Sequence, residues 1–265
     1  MNLNYFLGVL LAIPCLPLLY FQGKRIKQTI PDLPEANHPQ GQVAGNPAHR
    51  LRLVILGEST VAGVGVKTHK EGVSGSLARE LSAKTTAQID WKVYAKSGYT
   101  AKLVRTKLVP LIKEKQLDLI VIGLGGNDAF HLNPPFRWAS EIEQLIKLLQ
   151  QQFGDTPIAF MNMPPIKTFP AFTPLIKFFV GNLVELLGAS LKKVCQRYPN
   201  VYFDASILST EDWPQKHGIK PEPGLFFSDG VHPSKLTYQL WAKDFADFLI
   251  QNEILKKKIF LNEST

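Results

Sequence analysis

Short, largely apolar segments alternate with amphipathic stretches between residues 51 and 250. The first segment, Leu53, Val54, Ile55 and Leu56, contains no polar residue, and similar runs follow at 91–95, 117–124, 157–163 and 201–203. Apolar runs of this length predict strands that are buried on both faces of a parallel sheet.

Amphipathic periodicity between these runs predicts helices. Val73, Leu77 and Leu81 recur every four residues, which places them on one helical face. Further helices are predicted at 103–112, 138–149 and 236–250, and another after a loop within the apolar residues 164–191. Strands that alternate with helices form βαβ units. The pattern therefore predicts one α/β domain, a three-layer α/β/α, flavodoxin-like fold with a parallel sheet of about five strands.

The N-terminal residues 5–21 form an apolar run without a charge. A membrane-spanning helix needs about 20 residues, so the run is marginally short, and Pro14 and Pro17 are expected to kink it. No basic residue precedes it and no clear small-residue cleavage site follows, as a secretory signal would require. Cys15 also fits a lipobox poorly, because a lipobox has a small residue before its cysteine and here that residue is Pro14. Residues 1–28 are therefore predicted to be a hydrophobic membrane anchor or an uncleaved signal.

Basic residues at 24, 25 and 27 follow this apolar run. The positive-inside rule then predicts that the rest of the chain is cytoplasmic, although three charges leave the periplasmic side open. Residues 29–50 are rich in Pro, Gly, Asn and His without an apolar period, and they predict a linker. The globular domain is expected over 51–255, followed by a basic and polar tail at 256–265.

The composition is that of a folded globular chain, with 45% hydrophobic and 20% charged residues. The net charge is +8, but the basic residues are scattered and the longest run is 256–258. Without a zinc finger or an RNA-binding aromatic motif, no nucleic-acid partner is expected. The sequence does not define the oligomeric state.

Cysteine and histidine positions argue against disulfides and metals. The two cysteines, Cys15 and Cys195, lie in predicted helices or apolar runs, so no disulfide framework is expected. The six histidines show no metal-ligand spacing, so no metal site is predicted. Neither a dinucleotide motif nor a P-loop is complete, so no cofactor is predicted.

Polar residues follow three of the predicted strands. Ser59 comes directly after the first strand, Gly98 after the second and Asn127 after the third. The carboxyl ends of parallel strands share one edge of the sheet, where open α/β folds bind ligands. Ser59 would stand at the start of a helix, where a serine serves either as an N-cap or as a nucleophile activated by a base.

A candidate base lies far downstream, before the last predicted helix. Asp229 can accept a hydrogen bond from Nδ1 of His232, which leaves Nε2 free to take a proton from a serine. The N–H groups of Ser59 and Gly98 and the Asn127 amide could form an oxyanion hole. At Gly98 the absence of Cβ would let a substrate approach the backbone. Each residue alone also fits a structural role in a turn or cap, but that interpretation does not account for the whole set.

These blocks resemble the SGNH hydrolases, the GDSL-type esterase and lipase family. The serine, glycine, asparagine and histidine for which the family is named are matched in order by Ser59, Gly98, Asn127 and His232. Asp229, three residues before the histidine, matches the last block, and the resemblance extends over about 51–250.

The first block departs from the family pattern at two positions. Glu58 replaces the usual aspartate and Thr60 the usual leucine. Neither position carries a named catalytic group, so Glu58 is expected to affect local hydrogen bonding more than chemistry. The α/β-hydrolase elbow G-x-S-x-G does not fit, because Val61 occupies its last position.

The resemblance implies a serine esterase that works through an acyl-enzyme without a cofactor. Its catalytic triad would be Ser59 as nucleophile, His232 as general base and then acid, and Asp229 as the group that orients the histidine. The apolar N-terminus and residues 164–191 favour acyl esters, including lipids or lysophospholipids, as small-molecule substrates. The phenylalanines at 169–179 are expected to be core rather than acyl pocket.

Three alternatives stay open. A carbohydrate O-deacetylase or an acyltransferase would use the same fold. A membrane-tethered binding module without catalysis belongs to a different class, although binding alone does not need a triad.

Overall fold

A six-stranded sheet forms the centre of the protein. The computed structural model describes residues 3–208, 210–220, 222, 224–253 and 255–256. Among them the strand order is β1-β3-β2-β4-β5-β6. The strands are β1 (Gln40–Val43), β2 (Asn46–Gly57), β3 (Ala87–Ala95), β4 (Leu119–Gly123), β5 (Ile158–Phe160) and β6 (Val201–Phe203). All neighbouring pairs are parallel except β1 and β3, which are antiparallel.

Helices cover both faces of the sheet, which confirms the predicted α/β fold. In chain order they are α1 (Leu3–Ala12), α2 (Leu16–Thr29), α3 (Val73–Thr85), α4 (Ala101–Leu103), α5 (Gly126–Phe130), α6 (Pro135–Phe153), α7 (Pro174–Cys195), α8 (Trp213–His217) and α9 (Lys235–Gln251). The apolar residues of β2 alternate between the two cores. Leu53 and Ile55 pack with α3 and α9, whereas Val54 and Leu56 pack with α6 and α7. A strand buried in this way on both faces accounts for the unbroken apolar run.

The sheet has one strand more than the sequence predicts, and the extra strand lies in the segment predicted as a linker. β1 pairs with the edge of β3, and β2 already begins at Asn46. Only alternate residues of β1 are half-buried and the others are exposed, so the strand carries no apolar signal. The chain before β1 is also held to the domain, because Glu35 Oε1 accepts a hydrogen bond from Ser97 N–H at 2.7 Å.

The helix predicted at 103–112 is irregular. After α4, the chain forms a π-helical turn at Val104–Leu108 and a 3-10 turn at Val109–Leu111. Pro110 explains the end of regular helix, since it has no N–H to donate.

The N-terminal segment is helical beyond its apolar run. A 3-10 turn at Ile13–Cys15 contains Pro14 and separates α1 from α2, and Pro17 lies in the first turn of α2. Tyr5–Thr29 is 25 residues long with a mean hydropathy of 1.8, and none of its apolar window is buried. This segment is long and apolar enough to cross a membrane. α7 passes the same test but is 44% buried, as expected of a core helix. Of the predicted tail 256–265, residues 257–265 lie outside the described residues.

Candidate active site

Ser59 lies just beyond the end of β2, between the ends of β3 and β4. The last residue of β2, Gly57, pairs with Ala95 in β3 and with Gly123 in β4. A Cβ at Gly57 would come within 2.4 Å of the Gly123 carbonyl oxygen, so this position requires glycine. Ser59 is half-buried, and its carbonyl accepts a hydrogen bond from Val64 N–H at 3.1 Å.

The chain after Ser59 forms consecutive turns, and no helix starts there. The next helix, α3, begins only at Val73, so the prediction that Ser59 stands at the start of a helix is wrong. The turns need glycine, because Gly63 and Gly65 have φ values of +71° and +102°. The Ser59 N–H donates no hydrogen bond to another described residue, so it remains available for a ligand.

Two side chains from the C-terminal part of the chain hold these turns. The Tyr238 hydroxyl, fully buried in α9, donates to the carbonyl of Val64 at 2.7 Å. Ser228 Oγ lies 3.2 Å from the Gly65 carbonyl oxygen and 3.0 Å from that of Pro233. These bonds tie the serine turn to the segment that carries the predicted acid and base.

Asp229 and His232 are joined as the sequence predicts. Asp229 Oδ2 lies 2.7 Å from His232 Nδ1, and Oδ1 accepts hydrogen bonds from the N–H groups of Val231 and His232 at 2.9 and 2.7 Å. The Asp229 side chain is fully buried, whereas the His232 side chain is 21% exposed. The aspartate is therefore fixed at both oxygens, and the imidazole is fixed at Nδ1.

Asp229 is held in its ionised form. Desolvation raises the pKa of Asp229, whereas the hydrogen bonds from His232 and Val231 lower it. The hydrogen bonds have the larger combined effect, so the pKa lies below the usual aspartate value. The carboxylate is thus charged at neutral pH and can stabilise an imidazolium.

The carboxylate of Glu58 connects the serine turn to Asn127. Its two oxygens accept hydrogen bonds from Gly126 N–H at 2.8 Å and from Asn127 N–H at 2.9 Å. Asn127 Nδ2 donates to the Tyr99 carbonyl at 3.1 Å, which orients the amide. Burial raises the pKa of Glu58 to about 7, although both backbone N–H groups favour the ionised form. The prediction that Glu58 acts on local hydrogen bonding agrees with this geometry.

Asp128 joins the loops that follow β3 and β4. Its oxygens accept from Ala101 N–H and from Asn133 Nδ2, both at 2.8 Å. Burial raises the pKa of Asp128, since desolvation disfavours the charged form. Asp128 therefore has a structural role beside Asn127.

Gly98 follows β3 in an exposed turn with φ of +81°. An added Cβ would meet no atom within 4 Å, so the surrounding protein does not exclude a side chain at this position. Glycine is favoured here because of the left-handed backbone conformation. Its N–H donates to no other described residue. The cavity beside the site is lined by the neighbouring Ser97, and Gly98 is not among the lining residues.

Ser59, Asn127 and His232 line one cavity of about 650 Å³. The volume is in the range of small-molecule sites. Phe169 and Phe172, expected in the core, are buried and also line this cavity. Among the described residues, no group of three His, Cys, Asp or Glu side chains could hold a metal ion.

This fold, with these residues at one sheet edge, defines the class of α/β/α ester hydrolases. A family model described as the GDSL-like Lipase/Acylhydrolase family matches residues 55–240, and the chain belongs to this family. The resemblance to SGNH hydrolases is thereby confirmed. The protein is a hydrolase that acts on carboxylic ester bonds.

Solved structures share the fold at low sequence identity. A lipase/acylhydrolase from Enterococcus faecalis is 17% identical, with 75% of this chain and 95% of that chain covered and a TM-score of 0.50. The esterase EstA from Pseudoalteromonas sp. is 19% identical, covering 77% and 98%, with a TM-score of 0.54. A carbohydrate acetylesterase family member from Sinorhizobium meliloti is 18% identical, covering 76% and 98%, with a TM-score of 0.53. No curated protein sequence matches the chain.

Residues from distant parts of the chain complete the cavity, and the sequence does not predict their place in it. Ile26 and Ile30, in or just after α2, line it together with Leu33. The apolar positions of α2 are visible in the sequence, but nothing there indicates which side of the helix meets the domain. The sequence does not predict the hydrogen bond of Tyr238, because an aromatic residue in an amphipathic helix indicates only burial.

Proposed function

We propose that the protein is a serine esterase that uses Ser59, His232 and Asp229 as its catalytic triad. The observation that carries the proposal is the 2.7 Å contact between Asp229 Oδ2 and His232 Nδ1, with His232 lining the same cavity as Ser59. Acyl transfer requires a serine and an oriented imidazole that face the same substrate cavity.

In the proposed mechanism, Ser59 Oγ bonds to the ester carbonyl carbon while its proton passes to His232 Nε2. The carbonyl oxygen becomes an oxyanion, which the N–H groups of Ser59 and Gly98 and the Asn127 amide stabilise. The carbon–oxygen bond to the alcohol then breaks, and His232 returns its proton to the leaving alcohol. Asp229 remains ionised throughout.

Deacylation repeats these steps with water. His232 takes a proton from the water as its oxygen bonds to the acyl carbon. The bond to Ser59 breaks, the proton returns to Ser59 Oγ, and a carboxylic acid leaves. No cofactor takes part in the proposed steps.

The lining of the cavity favours an acyl ester as the small-molecule substrate, with a lipid or lysophospholipid as the candidate class. Phe130, Phe169 and Phe172 line the same cavity as Asn127. Aromatic rings of this kind bind alkyl groups through apolar contact.

We further propose that the N-terminal helix attaches the protein to a membrane. Its basic residues Lys24, Arg25 and Lys27 favour a cytoplasmic catalytic domain. A reporter fused to the C-terminus tests the side, because a reporter active only in the cytoplasm should then be active. Activity of a periplasm-dependent reporter would reverse the assignment.

The nucleophile is tested with the full chain in lipid nanodiscs and p-nitrophenyl esters from acetate to palmitate. We expect turnover by the wild type, and we expect Ser59→Ala to abolish both turnover and fluorophosphonate labelling. Ser97→Ala is the matched control, since Ser97 also lines the cavity, and it should keep the label. Labelling that persists in Ser59→Ala would refute the assignment.

The same assay separates the alternative functions. A strong preference for acetate would favour a deacetylase. Ester formation with an added alcohol that outpaces hydrolysis would favour an acyltransferase. A folded wild type that neither labels nor turns over any ester would favour a binding module.

A further inference from the structure

One wall of the catalytic cavity comes from the membrane-attaching helix. Gly23, Ile26 and Lys27 in α2, and Ile30 directly after it, line the cavity that also holds Ser59. These residues precede the region that matches the family, which begins at residue 55. The wall therefore comes from outside the matched region of the chain.

The position of α2 is fixed at two points along the helix. Near its middle, Thr173 Oγ1 donates a hydrogen bond to Gln22 Oε1 at 2.6 Å, and Thr173 is also the N-cap of α7. One turn later, the half-buried Ile26 packs against the core cluster on this side of the sheet. The C-terminal part of α2 is thus packed on the domain and is not a free tether.

The chain beyond α2 is fixed as well. Asp32 and Leu33 continue the cavity lining, and Glu35 then binds Ser97 N–H at 2.7 Å and Lys96 Nζ at 3.1 Å. Since Ser97 and Lys96 follow β3 at the carboxyl edge of the sheet, this wall is anchored to the site itself.

The surfaces that α2 shares with the cavity are apolar and aromatic. The ring centroids of Phe130 and Phe172 lie 5.3 Å apart, those of Phe169 and Phe172 5.4 Å, and those of Phe169 and Phe227 5.2 Å. All four rings line the cavity together with the side chains of Ile26 and Ile30. A space bounded in this way fits an alkyl chain, each methylene of which gains about fourfold in affinity on burial.

The first half of α2 exposes apolar side chains on the side that faces away from the domain, and α1 does the same. Leu18 and Phe21 in α2 are 54% and 65% exposed, and Leu10 in α1 is 63% exposed. Exposed apolar residues of this density fit the hydrocarbon of a bilayer. Apolar residues of α1 and of the first half of α2 therefore face outward, where lipid can cover them, whereas the C-terminal end of α2 lines the catalytic cavity.

We propose that the segment from Gly23 to Ile30 is the acyl-chain subsite of the enzyme, and that the substrate class is long-chain acyl esters that enter from the bilayer. The proposal rests on the proposed esterase function of Ser59. It makes the N-terminal helix a determinant of specificity in addition to an anchor.

The test compares two truncations on one helix, in the full chain in nanodiscs. Ile26→Ala removes a side chain from the cavity wall, whereas Phe21→Ala removes a larger side chain that faces away from the domain and does not line the cavity. Soluble p-nitrophenyl acetate and octanoate are the substrates, so that access to the bilayer does not limit the rate.

We expect Ile26→Ala to lower kcat/KM for octanoate about tenfold while acetate changes less than about twofold. Phe21→Ala should leave the octanoate-to-acetate ratio of the wild type unchanged. Ile26→Trp, which fills the subsite, should reject octanoate and still hydrolyse acetate, and its acetate activity reports that the variant folds.

Several results would overturn the subsite. They are an unchanged ratio in both Ile26 variants, an equal loss on acetate and octanoate in Ile26→Ala, or the same change of ratio in Phe21→Ala. In each of these cases the esterase proposal stays intact if the wild type hydrolyses both esters and the Ser59→Ala variant hydrolyses neither. A wild type inactive on all esters would instead refute the esterase proposal, and the subsite with it.

Discussion

Among single residues, Glu58 links the serine turn to the loop that carries Asn127. It follows β2 directly, precedes Ser59, and reaches across the edge of the sheet to the N–H groups of Gly126 and Asn127. A carboxylate is suited to this position because both of its oxygens accept hydrogen bonds. Glu58 is therefore a positioning residue for the Asn127 amide.

Glu58→Gln should lower kcat by about tenfold with little change in KM on a short-chain ester. One oxygen is replaced by an NH₂ group that faces a backbone N–H, so the Asn127 loop shifts away from the position in which Asn127 is proposed to stabilise the oxyanion. Loss of a whole oxyanion donor costs about 10² to 10³ in kcat, and a displaced donor should cost less. Glu71→Gln, at a more exposed glutamate paired with Lys235, is the control and should keep the wild-type kcat. An unchanged kcat in Glu58→Gln would contradict the role.

The difference in stability between the wild type and Glu58→Gln should change as the pH rises. Folding raises the pKa of Glu58 from 4.5 to about 7. A carboxyl with a raised pKa stabilises the folded state fully below pH 4.5, and this contribution is lost as the pH rises through 7. Relative to Glu58→Gln, the wild type should therefore lose free energy of unfolding between these pH values, by about 3 kcal/mol at most.

Urea unfolding of both proteins across this pH range measures the difference. His69 acts in the opposite direction, because burial lowers its pKa to about 4 and its contribution is lost as the pH falls from 6.5. His69 is present in both proteins and cancels in the comparison. A difference that stays constant with pH would show that the pKa of Glu58 is not raised.

Asp229→Asn should lower kcat by about 10³-fold or more. An amide can donate to Nδ1 of His232 and stabilise the wrong tautomer, in which Nε2 carries the proton and cannot act as a base. Kinetics on p-nitrophenyl acetate measure the loss, with near-UV circular dichroism as the control for folding. A loss smaller than about tenfold would mean that the Asp229–His232 contact has no catalytic role.

At the scale of elements, α9 supports the turn that carries Ser59 through Tyr238. The buried hydroxyl donates to the Val64 carbonyl, and Val64 N–H in turn donates to the Ser59 carbonyl. The last helix of the domain is thereby connected to the turn after the first central strand, far apart in the sequence.

Tyr238→Phe should reduce the free energy of unfolding by about 1 to 3 kcal/mol, because the buried Val64 carbonyl loses its donor. Tyr20→Phe is the matched control, since Tyr20 is 67% exposed and should change stability little. Chemical denaturation measures both. Equal stability of Tyr238→Phe and the wild type would show that the bond contributes nothing net.

At the scale of the whole molecule, apolar exposure and basic charge have different distributions. The exposed apolar residues are concentrated in α1 and α2, whereas the net charge of +8 is scattered over the chain. Attachment to a membrane should therefore depend on apolar insertion, which salt does not screen, more than on charge.

The full chain should remain in the membrane fraction after a high-salt wash and be released by detergent. Sedimentation followed by immunoblotting measures the distribution, with a protein bound only by charge as the control. Release by salt alone would show that the N-terminal helix does not insert.

Much of the fold could be predicted from local patterns. Burial on both faces makes Leu53 to Leu56 an unbroken apolar run, and a buried helical face requires the spacing of Val73, Leu77 and Leu81. β1 could not be predicted from the sequence. It is a half-exposed edge strand that is held by backbone hydrogen bonds, so its side chains need not follow an apolar pattern.

The sequence by itself determined the fold class, the family and the order of the four blocks, because strand burial, turns and the Asp229-to-His232 spacing are all local requirements. Only the tertiary structure decided which distant groups meet. It brought Ile26 and Phe169 to one cavity and joined Glu58 to Asn127. Such contacts depend on how helices pack on the sheet, and no periodicity of a single segment encodes its partner.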